Sequence, residues 1–299
     1  MPETIGDRLV RGDKGSFLDG LGNAAGAVVG GFYRIGGTRA LKDALHGTWP
    51  LRHPLHPAVT DAVVGGYTIV ALLDVVYLVT GDAALFRATD IALVASLIFS
   101  LGALASGLTD WNETYGNERR LGVLHGTLML LISVGYLISL WLRVGGGSRD
   151  AAIGLGLACW VLLGITSYLG GEMSFGFGTG VDRLAWSEVG ADWETLELRA
   201  DGLEERKVVR ARMSNGFALA VVKLDGAVRA IGAVCTHASG PLDEGELVGA
   251  DGCDVKCPWH GSVFSFRSGS ARHGPATMDE PAFETRVAAD GRVEVKLRS

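Results

Sequence analysis

Four long uncharged segments constrain the fold of this chain more than any other feature of its sequence. They cover roughly residues 58–80, 89–108, 121–142 and 151–170 of a 299-residue chain. The hydrocarbon core of a membrane is about 30 Å thick, and about 20 apolar helical residues are needed to cross it. The connections between the segments contain loop-forming residues, as in GGGSRD at residues 145–150. We therefore predict a bundle of four transmembrane helices.

The composition supports a membrane protein and excludes two other classes. Apolar residues make up 48% of the chain, and the mean hydropathy is +0.27. A net charge of −6 and a pI of about 5.7 argue against a nucleic-acid-binding surface. Four cysteines are too few and too irregularly spaced for a secreted scaffold held by disulfides.

Histidine and aspartate side chains are concentrated at one end of the predicted bundle. His53, His56 and Asp61 open the first span in HPLHPAVTDA, and His125 lies early in the third span. Four alternating spans place them on the side from which the C-terminal part emerges. Asp74 lies deeper, where we expect it to pair with a neighbouring helix.

The motifs HPLHP and GLTDW, together with the early histidine of the third span, resemble a bacterial family of four-helix membrane domains. The resemblance covers about residues 50–170 and implies a fold without a settled activity. His56 and His125 have two interpretations. They either hydrogen-bond neighbouring loops and helices, or they face each other and bind haem b or a quinone. The Gly-rich residues before the first span predict an interfacial segment over 1–50.

Basic residues near the predicted helix ends indicate the orientation. The side of the two termini carries six of them, and the opposite side carries three: Arg39, Lys42, Arg52, Arg119, Arg120 and Arg183 against Arg87, Arg143 and Arg149. Under the positive-inside rule this bias places both termini in the cytoplasm. We expect an integral protein of the bacterial inner membrane, in contact with membrane lipid.

The pattern changes to short alternating segments from about residue 192. KVVRARM, SNG and FALAVVK predict a hairpin, and Asp-Gly pairs predict two more turns. Dense turns and alternation predict a small antiparallel β-sandwich. The fold class is therefore α + β in two domains, with a transmembrane domain over 51–175 and a β domain over 192–299.

Two short motifs in the β domain combine cysteine with histidine. Cys235 and His237 are two positions apart, and Cys257 and His260 are three positions apart. Each pair lies among turn-forming residues. Two cysteines and two histidines bind either a tetrahedral zinc ion or an iron–sulfur cluster of mixed ligation. We assign His46, with Gly47 after it, only to a helix end, and His273 to the surface.

The sequence CTH, followed after nineteen residues by CPWHGS, resembles the signature of Rieske [2Fe-2S] domains. HGPAT at 273–277 resembles the proline loop that covers the cluster in that family. The resemblance spans about residues 194–298 and implies that Cys235 and Cys257 bind one iron. It implies that His237 and His260 bind the other iron.

Departures from the family pattern indicate the ferredoxin-type branch. Gly240 and Trp259 stand where the cytochrome bc-type Rieske proteins have disulfide-forming cysteines. Ser262 occupies the position of a serine that hydrogen-bonds a cluster sulfide, whereas Phe264 replaces a tyrosine that donates a second such bond. With fewer donors to sulfur, we expect a potential in the lower half of the roughly −150 to +300 mV Rieske range.

We interpret the chain as a membrane-anchored one-electron carrier that serves a redox partner protein and a haem or quinone at the membrane domain. A stand-alone Rieske oxygenase needs a mononuclear iron in a large downstream domain, and only about 39 residues follow His260. The protein is therefore an electron carrier or oxidoreductase component, and no catalytic residue is assigned. Supply of electrons to a separate oxygenase and membrane redox sensing are the alternatives.

Overall fold

Helices form the N-terminal part of the protein in the computed structural model, which describes residues 5–10 and 13–298. The helices are α1 (Ile5–Val10), α2 (Asp13–Tyr33), α3 (Arg39–His46), α4 (Leu55–Thr80), α5 (Leu85–Trp111), α6 (Gly116–Val144) and α7 (Arg149–Glu172). A π-helical turn at Met173–Phe177 extends α7. Strands form most of the C-terminal part, so the predicted two-domain α + β architecture is confirmed.

Helices α4 to α7 are long and apolar enough to cross a membrane. Their most apolar windows have mean hydropathies of 2.1, 2.2, 1.9 and 1.9. Only 28, 28, 22 and 39% of those windows is buried inside the protein, so large apolar side chains such as Val79 and Leu101 point outward. A helix that is apolar on its outward face is suited to lipid rather than to water.

The interior of the bundle contains a stacked tyrosine pair and an ion pair. The rings of Tyr67 on α4 and Tyr136 on α6 are parallel, with centroids 3.9 Å apart. Asp74 accepts hydrogen bonds of 2.9 and 2.5 Å from the two terminal nitrogens of Arg143. These side chains are 3% and 0% exposed, and two parallel bonds give the planar guanidinium its preferred geometry. The expected interhelical partner of Asp74 is therefore Arg143.

The two helical hairpins of the bundle repeat each other. His56, Gly66, Tyr67 and Asp74 on α4 have counterparts on α6 that lie 69 residues later, at His125, Gly135, Tyr136 and Arg143. On the return helices, Ser96, Ala103 and Gly107 of α5 correspond to Cys159, Thr166 and Gly170 of α7. Glycines 66 and 135 pack against Ser96 and Cys159 respectively. This internal repeat was not predicted from the sequence.

The C-terminal unit contains two antiparallel sheets. The strands are β1 (Glu194–Arg199), β2 (Val209–Arg212), β3 (Ala218–Leu224), β4 (Ala227–Gly232), β5 (Glu246–Val248), β6 (Asp254–Lys256), β7 (Val263–Ser265), β8 (Ala271–His273), β9 (Ala282–Val287) and β10 (Arg292–Leu297). The larger sheet has the order β1-β10-β9-β4-β3-β2, and the smaller one β5-β6-β7-β8. A buried apolar cluster between β3, β4 and the small sheet includes Ile231, Val255 and Phe264.

The predicted turns lie where the strands reverse. Asp225 and Gly226 join β3 to β4 with φ of +51° and +78°, as a type I′ hairpin requires. Gly216 and Gly291, each with positive φ, close the β2–β3 and β9–β10 connections. Local turn chemistry therefore determines three of the hairpins in this unit.

Residues 41–54 pack with the β unit although they precede the first transmembrane helix. The chain divides into one compact unit that reaches Ala40 and resumes at Leu55–Thr179, and a second that joins Leu41–Pro54 to Gly180–Ser299. The sequence predicts an interfacial segment over 1–50, whereas the contacts assign its last ten residues to the β unit. We call residues 41–54 the N-terminal strap.

Candidate metal centre

Cys235 and His237 lie on a tight loop that follows β4. The Cys235 amide donates to Gly240 O at 2.9 Å, and the Ser239 amide donates to Cys235 O at 2.8 Å. Ser239 has a φ of +65°, so the loop reverses sharply between the two bonds. These bonds fix the backbone from which the thiol and the imidazole project.

Cys257 and His260 lie on a second loop, between β6 and β7. The Cys257 amide donates to Ser262 O at 2.8 Å, and the Gly261 amide donates to Cys257 O at 3.1 Å. Gly261 has a φ of +77°, a conformation that glycine adopts without the steric cost of a Cβ. The structure therefore brings together the four side chains that the sequence singled out.

The four side chains fall into a thiol pair and an imidazole pair. Cys235 and Cys257 are 1% and 2% exposed, and their thiol groups are close enough to shift each other's pKa in opposite directions. The rings of His237 and His260 lie edge to face with centroids 4.9 Å apart. In the described part of the chain, no three His, Cys, Asp or Glu side chains converge on a single ion position. The arrangement has separate sulfur and nitrogen ends.

The pKa values of Cys257 and His237 are shifted toward the forms that bind metal. The interaction between the two thiols raises the pKa of Cys235 and lowers the pKa of Cys257, and the Trp259 and His260 amides also lower the pKa of Cys257. Burial lowers the pKa of His237 to about 3, and the neighbouring His260 adds to the effect. A thiolate and a neutral imidazole are the forms that bind metal.

Two further observations fit a bound metal group at this position. His237 Nδ1 is buried and has no hydrogen-bond partner among the described residues, which is costly unless another group satisfies it. A Cβ at Gly240 would lie 2.6 Å from Cys257 Sγ, so only glycine leaves room beside that sulfur. The residues present therefore fit a group held by two thiolates and two imidazoles.

The proline loop at 274–276 closes over the second ligand loop. The Ala276 amide donates to Ser262 Oγ at 3.0 Å, and Ser262 and Ala276 are 0% and 1% exposed. Because the Ser262 oxygen accepts this bond, its own proton remains available to a second acceptor. The predicted hydrogen bond from Ser262 to a cluster sulfide stays a prediction.

Glu280, which the sequence did not single out, supports the first ligand loop. Its Oε1 accepts a hydrogen bond of 2.8 Å from the amide of Thr236, between Cys235 and His237. The Thr236 hydroxyl also donates to Met278 O at 2.9 Å. Glu280 is almost fully buried, and burial raises its pKa well above the ordinary value.

The N-terminal strap contacts the proline loop. Asp43 Oδ2 accepts a hydrogen bond of 2.8 Å from His273 Nδ1, and Asp43 Oδ1 accepts one of 3.0 Å from the Gly274 amide. The Thr48 hydroxyl donates to Ala276 O at 2.8 Å. His46 is buried and lies where it would contact a Cβ at Gly274, so its role extends beyond the helix end assigned from sequence.

The two membrane-domain histidines lie within the helical bundle. His56 Nδ1 is 2.9 Å from Ala103 O on α5, and His125 Nδ1 is 3.0 Å from Thr166 O on α7. Both are hydrogen-bonded to a neighbouring helix, as the first of the two interpretations expects. A signal in the sequence relates the two histidines. Each of them precedes a tyrosine by eleven residues, Tyr67 after His56 and Tyr136 after His125.

Comparison with known proteins separates the chain into the same two parts. Residues 52–183 match the family described as Predicted membrane protein (DUF2231), and residues 194–285 match the Rieske [2Fe-2S] domain. The first match covers the predicted region of about 50–170 and continues to residue 183, and the second lies within the predicted region of about 194–298.

Relatives of the second part are ferredoxins. Ferredoxin CarAc of Metapseudomonas resinovorans is 30% identical over 96 residues, which are 32% of this chain and 86% of that protein. The ferredoxin component of the p-cumate 2,3-dioxygenase system of Pseudomonas putida is 35% identical over 72 residues, which are 24% of this chain and 58% of that protein. This chain thus spans little more than half of the latter relative.

Among solved structures, the ferredoxin of carbazole 1,9a-dioxygenase from Nocardioides aromaticivorans is 25% identical, with a TM-score of 0.31. That alignment covers 34% of this chain and 94% of the ferredoxin. The family match and the CarAc similarity together carry the assignment. This chain belongs to the Rieske [2Fe-2S] ferredoxin family and joins its Rieske domain to a DUF2231 membrane domain.

Proposed function

We propose that this protein is a membrane-anchored carrier of single electrons whose [2Fe-2S] cluster is held by Cys235, His237, Cys257 and His260. The observation that carries the proposal is the separation of two buried thiols from two paired imidazoles. When bound, such a cluster supplies a centre that accepts and releases one electron, at a potential raised by the neutral imidazoles.

Two of the four side chains of this site favour the metal-binding form before any metal binds, whereas the raised pKa of Cys235 means that metal binding would displace its proton. The thiolate of Cys257 and the neutral ring of His237 require little or no proton release near neutral pH. The buried hydroxyl of Ser262 is positioned by Ala276, and it would donate a hydrogen bond to a cluster sulfide. Such a bond stabilises the more negative, reduced cluster and therefore raises its potential.

The imidazole end is the side through which electrons enter and leave. His237 and His260 are half-buried, whereas the two thiols are buried. Trp259, next to His260, is 55% exposed. A redox partner protein that docks over these rings would come closest to the metal group, because little other protein lies between.

The membrane domain holds the carrier at a lipid surface and provides the second redox group, a haem b or a quinone near His56 and His125. The bacterial inner membrane is the location we propose, with the Rieske domain in the cytoplasm. The six basic residues at the helix ends on the side of the termini, against three on the opposite side, support this orientation.

A second candidate function is supply of electrons to a separate oxygenase. It is supported by the similarity to the ferredoxin component of the p-cumate 2,3-dioxygenase system. Both functions use the same cluster and the same exposed imidazole end. They differ in the acceptor, which is a membrane group in one and a soluble enzyme in the other. No observation favours membrane redox sensing over either.

The test is spectroscopic analysis of the full-length protein purified in detergent, with iron and acid-labile sulfide measured per chain. We expect two irons, two sulfides and a rhombic paramagnetic-resonance signal after reduction. Cys257→Ser and His260→Ala should lose that signal. Cys253→Ser is the matched control, because Cys253 is a buried cysteine of the same domain outside both ligand loops.

Bound zinc without sulfide would overturn the proposal. So would a normal Rieske signal in both ligand variants. Retention of the signal in Cys253→Ser together with its loss in Cys257→Ser would separate ligation from a general requirement for cysteine in the core.

A further inference from the structure

The internal repeat of the membrane domain places two histidines at equivalent positions. His56 precedes Tyr67 by eleven residues on α4, and His125 precedes Tyr136 by eleven residues on α6. The two tyrosine rings stack, and seven residues further along each helix Asp74 pairs with Arg143. Helices α4 and α6 are therefore parallel and in register, so that the two histidines lie at one level of the bundle.

That level is displaced from the tyrosine stack by about 16 Å, at 1.5 Å per helical residue. An electrostatic contribution from His56 reaches His125, as expected for two rings at one level of the bundle. Both are half-buried. A pair of imidazoles at one level, on helices that meet further along, forms a site with approximate two-fold symmetry.

Each ring is oriented by the same kind of contact. Nδ1 of His56 and Nδ1 of His125 lie 2.9 and 3.0 Å from main-chain carbonyls of the adjacent helices. A carbonyl oxygen only accepts hydrogen bonds, so Nδ1 of both rings carries the proton and donates it. The lone pair then lies on Nε2 in both rings. Neither Nε2 makes a hydrogen bond within the described part of the chain.

Two glycines leave room for the rings beside the adjacent helices. A Cβ at Gly107 would lie 2.7 Å from His56 Cε1, and one at Gly170 would lie 3.0 Å from His125 Cε1. The two glycines occupy equivalent positions, each four residues after the residue whose carbonyl accepts from Nδ1. The same three-part contact of histidine, carbonyl and glycine thus occurs twice.

We infer that Nε2 of His56 and Nε2 of His125 are the two axial ligands of one haem. A metal-binding histidine almost always donates its other ring N–H to a carbonyl or carboxylate, and both rings do so here. Haem iron takes one axial ligand on each face, and the two-fold repeat supplies two equivalent ones. This inference chooses haem over a quinone as the membrane group of the proposed function. It rests on the proposed function only for the biological role of that haem.

A quinone fits this arrangement less well than haem iron. A quinone carbonyl needs a hydrogen-bond donor, whereas Nε2 of both rings carries a lone pair and no proton. Binding a quinone at either ring would require the tautomer to change and the Nδ1 bond to a carbonyl to be lost. A metal ion needs the lone pair that is already present, so the existing hydrogen bonds favour the metal.

The experiment is a titration of full-length protein with hemin in detergent, after expression under haem limitation. We expect stoichiometric uptake and the absorption and paramagnetic-resonance spectra of low-spin iron with two imidazole ligands. His56→Ala and His125→Ala should each weaken hemin binding by roughly 10–100-fold or more, since loss of a supporting residue alone has that effect. Added imidazole should restore the low-spin spectrum in either variant.

The matched control is His53→Ala, since His53 belongs to the same HPLHP motif but lies in the N-terminal strap before α4, where its Nδ1 bonds the adjacent Pro54 carbonyl. This variant should bind hemin like the parent protein. The Rieske signal should be unchanged in all three variants, which shows that the chain is folded and keeps a failure here distinct from failure of the cluster assignment.

Equal hemin affinity in the parent and in His56→Ala would overturn the inference. So would a high-spin spectrum in the parent, because it would show that two imidazoles do not ligate the iron. Saturable binding of a quinone analogue in the parent, abolished in both histidine variants and accompanied by no hemin uptake, would replace haem by quinone.

Discussion

Asp43 and His273 are joined by a 2.8 Å hydrogen bond although 230 residues separate them in the chain. The other carboxylate oxygen of Asp43 accepts from the amide of Gly274, at the start of the proline loop. One side chain of the N-terminal strap therefore fixes both the last residue of β8 and the loop that packs on Ser262. The strap belongs to the structure that surrounds the cluster site.

Asp43→Ala should loosen the strap and expose the cluster site. The change leaves the half-buried Gly274 amide without its acceptor, which costs less than the roughly 1–3 kcal/mol of a fully buried unsatisfied donor. We expect faster loss of the cluster signal in the presence of a chelator and earlier proteolytic cleavage within residues 41–54. The rate of signal loss and the rate of cleavage are both measured on the full-length protein, in the reduced and in the oxidised state.

Arg52→Ala is the control for this prediction. Arg52 also links the strap to the proline-loop region, through Asp279 at 2.6 Å, but both side chains are well exposed. Exposed ion pairs contribute about 0–1 kcal/mol, so this variant should behave like the parent. Equal chelator sensitivity in Asp43→Ala and the parent would show that the strap does not protect the site.

The sequence predicted those features that depend on local chemistry. Apolar length predicted helices α4 to α7, and turn residues such as Asp225 and Gly226 predicted the hairpins. The spacing of Cys235, His237, Cys257 and His260 predicted which side chains meet. Each of these depends on residues that are close in sequence or that belong to a recurrent motif.

The contacts that the sequence did not predict join residues that are far apart in the chain, each through a single side chain. Nothing near Asp43 indicates that it lies against Gly274, and nothing near Glu280 indicates that it holds the Thr236 amide. A carboxylate that accepts a main-chain bond leaves no periodic pattern in the sequence. The repeat that relates His56 to His125 is present in the sequence. It is hard to detect there, because only a few positions match and the apolar helices that contain them resemble one another in composition.

Ser262→Ala should lower the reduction potential of the cluster. We predict that the buried hydroxyl donates to a cluster sulfide, and removing one hydrogen bond to a charged acceptor costs about 1.5 kcal/mol. For a one-electron couple this corresponds to a decrease on the order of 60 mV. Spectroscopic redox titration measures the change.

The comparison variant for the potential is Ser265→Ala. Ser265 is also buried and on β7, but its hydroxyl oxygen accepts from the nearby Arg267 amide. Its removal should leave the potential within experimental error of the parent. If the Ser262 and Ser265 variants shift the potential equally, the predicted bond from Ser262 to the cluster is wrong.

Gly240→Ala should prevent assembly of the cluster. The added Cβ would lie 2.6 Å from Cys257 Sγ and 3.2 Å from Trp259, so the sulfur would have to move from its position. We expect iron and acid-labile sulfide to fall to a small fraction of the parent values per chain. Gly202→Ala is the control, because a Cβ there meets nothing within 4 Å. Full cluster content in Gly240→Ala would contradict the proposed ligand geometry.

Glu280 should make the stability of the Rieske domain depend on pH. Its folded-state pKa is raised well above the ordinary value of 4.5, mainly by burial. The folded state therefore holds a proton that the unfolded chain releases above about pH 4.5. Stability is fully present below that pH and is lost as pH rises through the raised folded-state pKa.

Glu280→Gln should remove most of this pH dependence, because the amide remains neutral and keeps an acceptor for the Thr236 amide. Denaturant unfolding at several pH values above 4.5 measures it. The exposed Glu284→Gln on β9 is the control and should keep the parent profile. Parallel profiles for the parent and Glu280→Gln would show that Glu280 is ionised in the folded protein.

The buried pair of Asp74 and Arg143 should stabilise the membrane bundle only as a pair. Asp74→Ala leaves the Arg143 guanidinium, which is fully buried, with only Asp90 as a counter-ion, at 3.9 Å, and removing one partner of a buried pair costs about 3–5 kcal/mol. Replacing both residues, as in Asp74→Leu with Arg143→Met, removes the unpaired charge and should recover much of that loss. Thermal unfolding in detergent, followed by helical circular dichroism, compares the three proteins.

The more exposed pair of Asp19 and Arg120 serves as the control, and Asp19→Ala should change the midpoint of unfolding little. If the double variant is no more stable than Asp74→Ala, the bundle depends on the geometry of the two hydrogen bonds rather than on charge compensation.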